Sequence, residues 1–155
     1  MKLCSACLLG IRSRYDGQSN LNKKVIRLAK KEVLIPVCPE QLGGLPTPRK
    51  PCGIYLGLGN DVLVGRLSVK TAREGRDTTK YFLRGAKEVL KIAKLFKIRK
   101  VILKDKSPSC GSKMTWQLDK GLKNHIVRGE GVTAALLKRN GIKVISEEDL
   151  NNQPQ

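Results

Sequence analysis

The 155-residue chain is poor in acids, aromatics and histidine. It carries 13 Asp and Glu against 31 Lys and Arg, with one Trp, three Tyr, two Phe and one His. A single histidine, His125, excludes a metal centre built on three histidines. Scarce aromatics leave aliphatic side chains to fill the interior. No apolar run reaches the roughly 20 residues of a membrane span. The start, Met-Lys-Leu-Cys-Ser-Ala-Cys, lacks the apolar stretch and cleavage site of a signal peptide. A cytoplasmic protein with no membrane partner is therefore expected. No GxGxxG or Walker A sequence is present, nor an RNP motif, a KH loop or paired zinc fingers.

The charge that remains is strongly positive, +18 at pH 7. Such an excess raises association with polyanions, above all RNA. It also fits a solvated surface. The basic residues are spread along the chain, so both readings stay open.

There are five cysteines. Cytosolic thiols are usually reduced, which favours metal binding or catalysis over disulfides. Three of them each sit just past a strand-like run. Cys7 follows Met1–Ala6, Cys38 follows Val33–Val37, and Cys110 follows Val101–Leu103 in KDKSPSCG. Their spacing matches no zinc-ribbon or ferredoxin pattern. In an open α/β sheet, however, ligands collect outside the carboxyl ends of the strands. Three thiols meeting there would make a metal site with one position left free by protein. Cys4 alternates with Leu3 and reads as a buried core thiol. Cys52 shares a loop with Cys38 and is a candidate fourth thiol.

Strand and helix signals alternate. Lys2–Ala6, Val33–Val37, Arg99–Leu103 and Lys143–Ile145 read as buried strands. Leu21–Lys31 reads as a helix capped by Asn20 or Asn22. A longer helix runs from the Asp77-Thr78-Thr79 cap to Phe96, and Gly131–Arg139 is a short one ended by Asn140-Gly141. Ile54–Leu56 and Val62–Leu67 are expected to form a hairpin. Pro39–Gly53 and Lys104–Lys123 read as long loops. Loops of that length usually serve a function. The expected architecture is a single α/β domain over residues 1–150, a three-layer sandwich on a mostly parallel, Rossmann-like sheet. A frayed tail is expected over 151–155.

Local chemistry gathers in those loops. In CPEQLGGLPTPR, Glu40 stands two residues from Cys38 and could give or take a proton; it also reads as an ordinary solvated carboxylate. SPSCGS surrounds Cys110 with hydroxyls, and such groups can hydrogen-bond the sulfurs of a cluster. Lys104 and Lys106 lie just upstream. RYDG (Arg14–Gly17) is a tight turn in which Asp16 is either structural or catalytic.

At SACLLG (Ser5–Gly10), RYDG, PVCPEQLGGLPTPR (Pro36–Arg49), FLRGA (Phe82–Ala86), KSPSCG (Lys106–Gly111) and the segment Gly131–Glu148, the sequence resembles the thiouracil desulfurase family. The resemblance covers nearly the whole chain. It implies an enzyme with a 4Fe-4S cluster held by Cys7, Cys38 and Cys110, acting on a thiolated uracil base, with Glu40, Ser107 and Ser109 as catalytic residues. Cys4 and Cys52 look like additions, and Lys113–Asn124 departs from the family's Gly- and Thr-rich segment. Two other readings are carried forward. One is the same chemistry on 4-thiouridine in tRNA, with Lys113, Lys120, Lys123 and Arg128 contacting phosphates. The other is a non-catalytic RNA-binding module with structural zinc.

Overall fold

A computed structural model describes residues 1–152. Its main sheet is built from β1 (Lys2–Ser5), β2 (Leu34–Val37), β5 (Lys100–Leu103) and β8 (Lys143–Ser146) in the order β2-β1-β5-β8. Every pairing in it is parallel, with Leu3 opposite both Ile35 and Val101, and Val101 opposite Val144. Parallel strands are buried on both faces, which is why these segments read as continuous apolar runs. Alternation then sends Leu3 and Cys4 to opposite faces. Leu3 packs with Val89, Ala93 and Leu137, whereas Cys4 packs with Leu8, Val25 and Ile102.

The helices cover both faces. On one lies α1 (Lys23–Ala29), whose N-cap Asn22 accepts the amides of Lys24 and Val25 at 3.0 and 3.2 Å. On the other lie α4 (Thr79–Leu95) and α5 (Val132–Arg139). Asp77 caps α4 through Oδ1, which accepts the Thr79 amide at 2.8 Å. Gly141 ends α5 in the left-handed conformation, with φ of 74°. This α/β arrangement is the expected one.

A second sheet was not expected. Its strands are β3 (Cys52–Tyr55), β4 (Val69–Thr71), β6 (Met114–Leu118) and β7 (Asn124–Arg128), in the order β4-β3-β6-β7. It packs Ile54 and Val69 against Phe82, Ala86 and Val132, on the side of α4 and α5 away from the main sheet. The expected hairpin of Ile54–Leu56 with Val62–Leu67 does not form. Val62 lies instead in α3 (Gly59–Leu63), because Asp61 folds back to accept the Leu58 amide at 2.9 Å and starts a helix there. β3 pairs with β4 in its place.

Both long loops are also more ordered than expected. Pro39–Gly53 opens with the one-turn helix α2 (Pro39–Leu42) and closes with the start of β3. Lys104–Lys123 contains β6, which pairs antiparallel with β7. His125 sits on that edge strand. Asn151 and Asn152 continue the 3-10 turn Glu147–Asn152; the rest of the expected tail, 153–155, lies outside the described residues.

Candidate functional site: three thiols and a carboxylate at the carboxyl edge

Strand order decides the site. β2, β1 and β5 are neighbours, and each delivers one cysteine from its carboxyl end. Cys38 follows β2 directly. Cys7 lies in the 3-10 turn Ala6–Leu9 after β1, and Cys110 in the turn after β5. Adjacent strands lie about 4.8 Å apart, so the three loops start within roughly 10 Å of one another. The Cys7, Cys38 and Cys110 thiols are within electrostatic reach of each other.

Each thiol has its own cradle. The Asn20 side chain hydrogen-bonds the Cys7 sulfur, and the Asn20 amide donates to the Cys7 carbonyl at 2.9 Å. Arg14 holds Asn20 in place, Nη1 to Oδ1, at 2.8 Å. Cys38 occupies the N-cap of α2, where the Glu40 and Gln41 amides point at its sulfur. Its thiol donates to the Ser13 carbonyl at 3.7 Å. Ser5 Oγ accepts the Lys104 amide at 2.9 Å and donates to Cys110 Sγ at 3.5 Å.

Burial pushes all three thiols up in pKa. The Asn20 and amide contacts pull Cys7 and Cys38 back down, while mutual repulsion raises Cys7 and Cys110 further. Three buried thiolates are unstable together unless a cationic group sits among them. Among the described residues, no group of three His, Cys, Asp or Glu side chains is arranged to hold a single metal ion. A lone zinc needs ligands about 2.0–2.3 Å away, whereas an iron-sulfur cluster spans a wider gap. Donor type and the amide and hydroxyl contacts to the sulfurs fit such a cluster.

Glu40, Ser107 and Ser109 are brought together beside these thiols. Ser109 Oγ donates to Glu40 Oε2 at 2.9 Å, and Ser107 Oγ lies 3.2 Å from Ser109 Oγ. Ser107 Oγ also accepts the Cys110 amide at 3.0 Å, which shapes the turn. The N-terminus of α5 pins this turn from behind. The Val132 amide donates to the Pro108 carbonyl at 2.9 Å, and Thr133 to the Ser109 carbonyl at 2.9 Å. Gly131 permits the approach, since a Cβ there would stand 2.7 Å from Ser109 backbone atoms.

Two further residues, Arg49 and Asp105, shape the site. Arg49 closes the CPEQLGGLPTPR motif, and its guanidinium binds in three directions. Nε reaches Glu40 Oε1 at 3.0 Å, Nη1 reaches Thr47 Oγ1 at 2.9 Å, and Nη2 reaches the Ser13 carbonyl at 2.8 Å. Nη2 also stands 4.0 Å from Cys38 Sγ. Asp105 is fully buried, and its Oδ1 accepts the amides of Ser112, Lys113 and Met114 at 3.1 Å each. It thereby folds the Cys110 loop back toward β6. An Arg ending a rigid Pro/Gly loop that also holds a carboxylate was the available hint for Arg49.

The remaining candidates lie elsewhere. Cys4 is fully buried and pushed up to about 12 by burial. Cys52 is also buried, donates to the Lys50 carbonyl at 3.6 Å and accepts from Thr78 Oγ1 at 3.6 Å. Its electrostatic neighbours are Glu40 and Arg49 rather than the other thiols, so it does not complete the trio. Asp16 is held by Arg14 at 3.1 Å in a turn where Gly17 has φ of 76°, the structural alternative. His125 pairs with Asp119 at 2.7 Å. Two depressions of about 410 and 480 Å³ are lined by residues away from the thiols, such as Leu58 and Lys138 in one and Tyr55 and Arg66 in the other.

A mostly parallel α/β sheet thus sets three thiols and a hydrogen-bonded carboxylate together at its carboxyl edge. Comparison with known proteins makes the class specific. The family model for 2-thiouracil desulfurase matches residues 3–149, and the chain belongs to that family. It is 43% identical over 152 residues to the uncharacterized protein YbbK of Bacillus subtilis (strain 168), covering 98% of this chain and 99% of that protein. A solved structure, the [4Fe-4S]-dependent thiouracil desulfidase TudS, superposes with a TM-score of 0.80 at 39% identity, over 97% of this chain and 92% of that one.

Proposed function

We propose that this protein removes sulfur from a thiolated uracil, exchanging C=S for C=O, with Cys7, Cys38 and Cys110 holding a 4Fe-4S cluster. The observation that carries this reading is the strand order β2-β1-β5, which sets one thiol, buried or half-buried, past the end of each of three adjacent strands. Likeness to TudS supports the cofactor and the substrate class. Held by these three cysteines, a cluster would supply thiophilic, Lewis-acid iron.

The chain's own residues supply the proton traffic. Water contributes the oxygen, sulfur leaves as sulfide, and no net redox change occurs. In this reading Glu40 takes a proton from that water and returns one to the ring nitrogen. Arg49 holds Oε1 and leaves Oε2 to Ser109, so the carboxylate has one fixed oxygen and one that exchanges protons. Ser109 and Ser107 extend the path by one further hydroxyl. Each loop also shields the thiols from bulk water, since Cys110 is buried and Cys7 and Cys38 are half-buried.

The test is turnover of 2-thiouracil to uracil and sulfide by anaerobically reconstituted protein, with the iron-free protein as control. Uracil formed only by the iron-loaded protein supports the reading. Iron-loaded protein that forms none overturns it.

A further inference from the structure

The RYDG turn (Arg14–Gly17) sits between two of the thiol-bearing segments and is tied to both. The Ser13 carbonyl just before it accepts Arg49 Nη2 at 2.8 Å and the Cys38 thiol at 3.7 Å. The Tyr15 carbonyl accepts the Arg49 amide at 2.7 Å. On the far side, the Asn20 amide donates to the Cys7 carbonyl at 2.9 Å, and the Asn22 amide to the Leu8 carbonyl at 3.0 Å. Residues 13–22 therefore strap the Cys38 segment to the Cys7 segment.

Within that strap, a line of side chains ends on sulfur. Asp16 Oδ2 pairs with Arg14 Nη2 at 3.1 Å, and Asp16 Oδ1 accepts the Gln18 amide at 3.0 Å. Arg14 Nη1 donates to Asn20 Oδ1 at 2.8 Å. The Asn20 side chain then hydrogen-bonds the Cys7 sulfur. The order of partners decides the orientation. A guanidinium has donors and no acceptor, so it can face only the oxygen of the Asn20 amide. That leaves the amide NH2 for the sulfur. Asp16 offsets the charge of Arg14, so Arg14 acts by fixing which way the amide points.

The other two sulfurs are served differently. Backbone amides of the α2 turn point at Cys38, and the Ser5 hydroxyl donates to Cys110 at 3.5 Å. Cys7 takes its contact from a side-chain amide that a second residue must orient. A hydrogen bond to a ligating thiolate draws electron density off the sulfur and leaves the metal more electron-poor. Electron-poor iron is easier to reduce and is a stronger Lewis acid toward a thiocarbonyl sulfur.

We propose that Asn20 is a positioning residue that, oriented by Arg14, raises the reduction potential and Lewis acidity of iron held at Cys7. This rests on the cluster reading of the three thiols. Asp16 belongs to the device as the partner that keeps Arg14 in line and its charge balanced.

The experiment uses anaerobically reconstituted wild type, Asn20→Leu, and the pair Arg14→Met with Asp16→Asn. Asn20→Leu keeps nearly the same shape without the donor. The paired variant leaves Asn20 in place and frees its amide to turn. Neither changes the local net charge, so a shift reports the hydrogen bond. Iron and acid-labile sulfide are measured first, then the midpoint potential by dithionite titration, then turnover of 2-thiouracil per iron. Both variants are expected to keep wild-type iron content and to show a lower potential. Turnover per iron should fall about tenfold or more in each. A potential that stays at the wild-type value in Asn20→Leu overturns the proposal even if turnover is lost, because packing alone would explain the loss. A shift in Asn20→Leu without one in the paired variant overturns the part assigned to Arg14. If one variant fails to hold iron, the potential of the other decides; if both fail while wild type loads, the strap only builds the loop and the tuning role is overturned. A wild type that takes up no iron overturns the cluster reading itself, whereas a loaded wild type with unmoved potentials in the variants leaves that reading standing.

Discussion

Ser109 donates a 2.9 Å hydrogen bond to Glu40 across 69 residues of sequence, joining the loop of Cys110 to the loop of Cys38. The contact fixes the carboxylate between two thiol-bearing segments. Glu40→Gln keeps the size and can still accept from Ser109, but it no longer carries a proton. Turnover of thiouracil should fall ~10²–10⁴-fold with iron and sulfide content unchanged. Steady-state rates normalised to iron test this; near-normal rates would move the proton role to Ser107 and Ser109.

Arg49 and Glu40 form an ion pair whose side chains are only 6% and 14% exposed. Removing one partner of such a pair leaves a buried charge alone, at a cost of about 3 kcal/mol. Arg49→Met should therefore lower Tm by roughly 6–12 °C in a chain of this size. Arg49→Lys keeps the charge but not the three-way fork, and should fall between. Calorimetry of the three proteins checks the order.

Burial pushes Cys4 up to about 12 and Cys52 to about 11, from ordinary thiol values near 9.0. A raised folded-state pKa means that the folded form holds its proton longer than the unfolded chain. Below about pH 9 both states are protonated, and the contribution to stability is complete. Above it, the unfolded chain ionises first, and stability of the iron-free protein should fall by up to ~1.4 kcal/mol per pH unit for each thiol until the folded pKa is passed. Denaturant unfolding at pH 8 and pH 10 should show this decline, and Cys4→Ala should reduce it.

Gly85 lets α4 lie against α2. Gly85→Ala forces the helix away from Pro39 and shifts Cys38 and Glu40 with it. Both stability and desulfuration should drop, although neither residue is altered. A variant with wild-type Tm and wild-type turnover would show that the contact yields without cost.

The main sheet was legible because parallel strands buried on both faces leave unmistakable apolar runs, such as Val101–Leu103. The rule that ligands gather at the carboxyl edge then puts Cys7, Cys38 and Cys110 on one side of the sheet. β6 was hidden because Met114–Leu118, with Trp116 and Gln117 half-buried, is neither a clean alternation nor an apolar run. α3 was misread because Val62 and Leu63 look β-like, and a single side-chain contact from Asp61 decides otherwise. The Pro/Gly loop hinted at Arg49, but its role depends on Ser13 and Glu40 meeting through the fold.

The central claim is tested most directly by anaerobic iron and acid-labile sulfide analysis with a visible spectrum, on wild type and on Cys7→Ser, Cys38→Ser, Cys110→Ser, Cys4→Ser and Cys52→Ser. The account predicts a brown wild type with about four iron and four sulfide per chain. It predicts loss of both in each of the first three variants and retention in the last two. A colourless wild type holding stoichiometric zinc, or a cluster that survives loss of Cys7, Cys38 or Cys110, would contradict it.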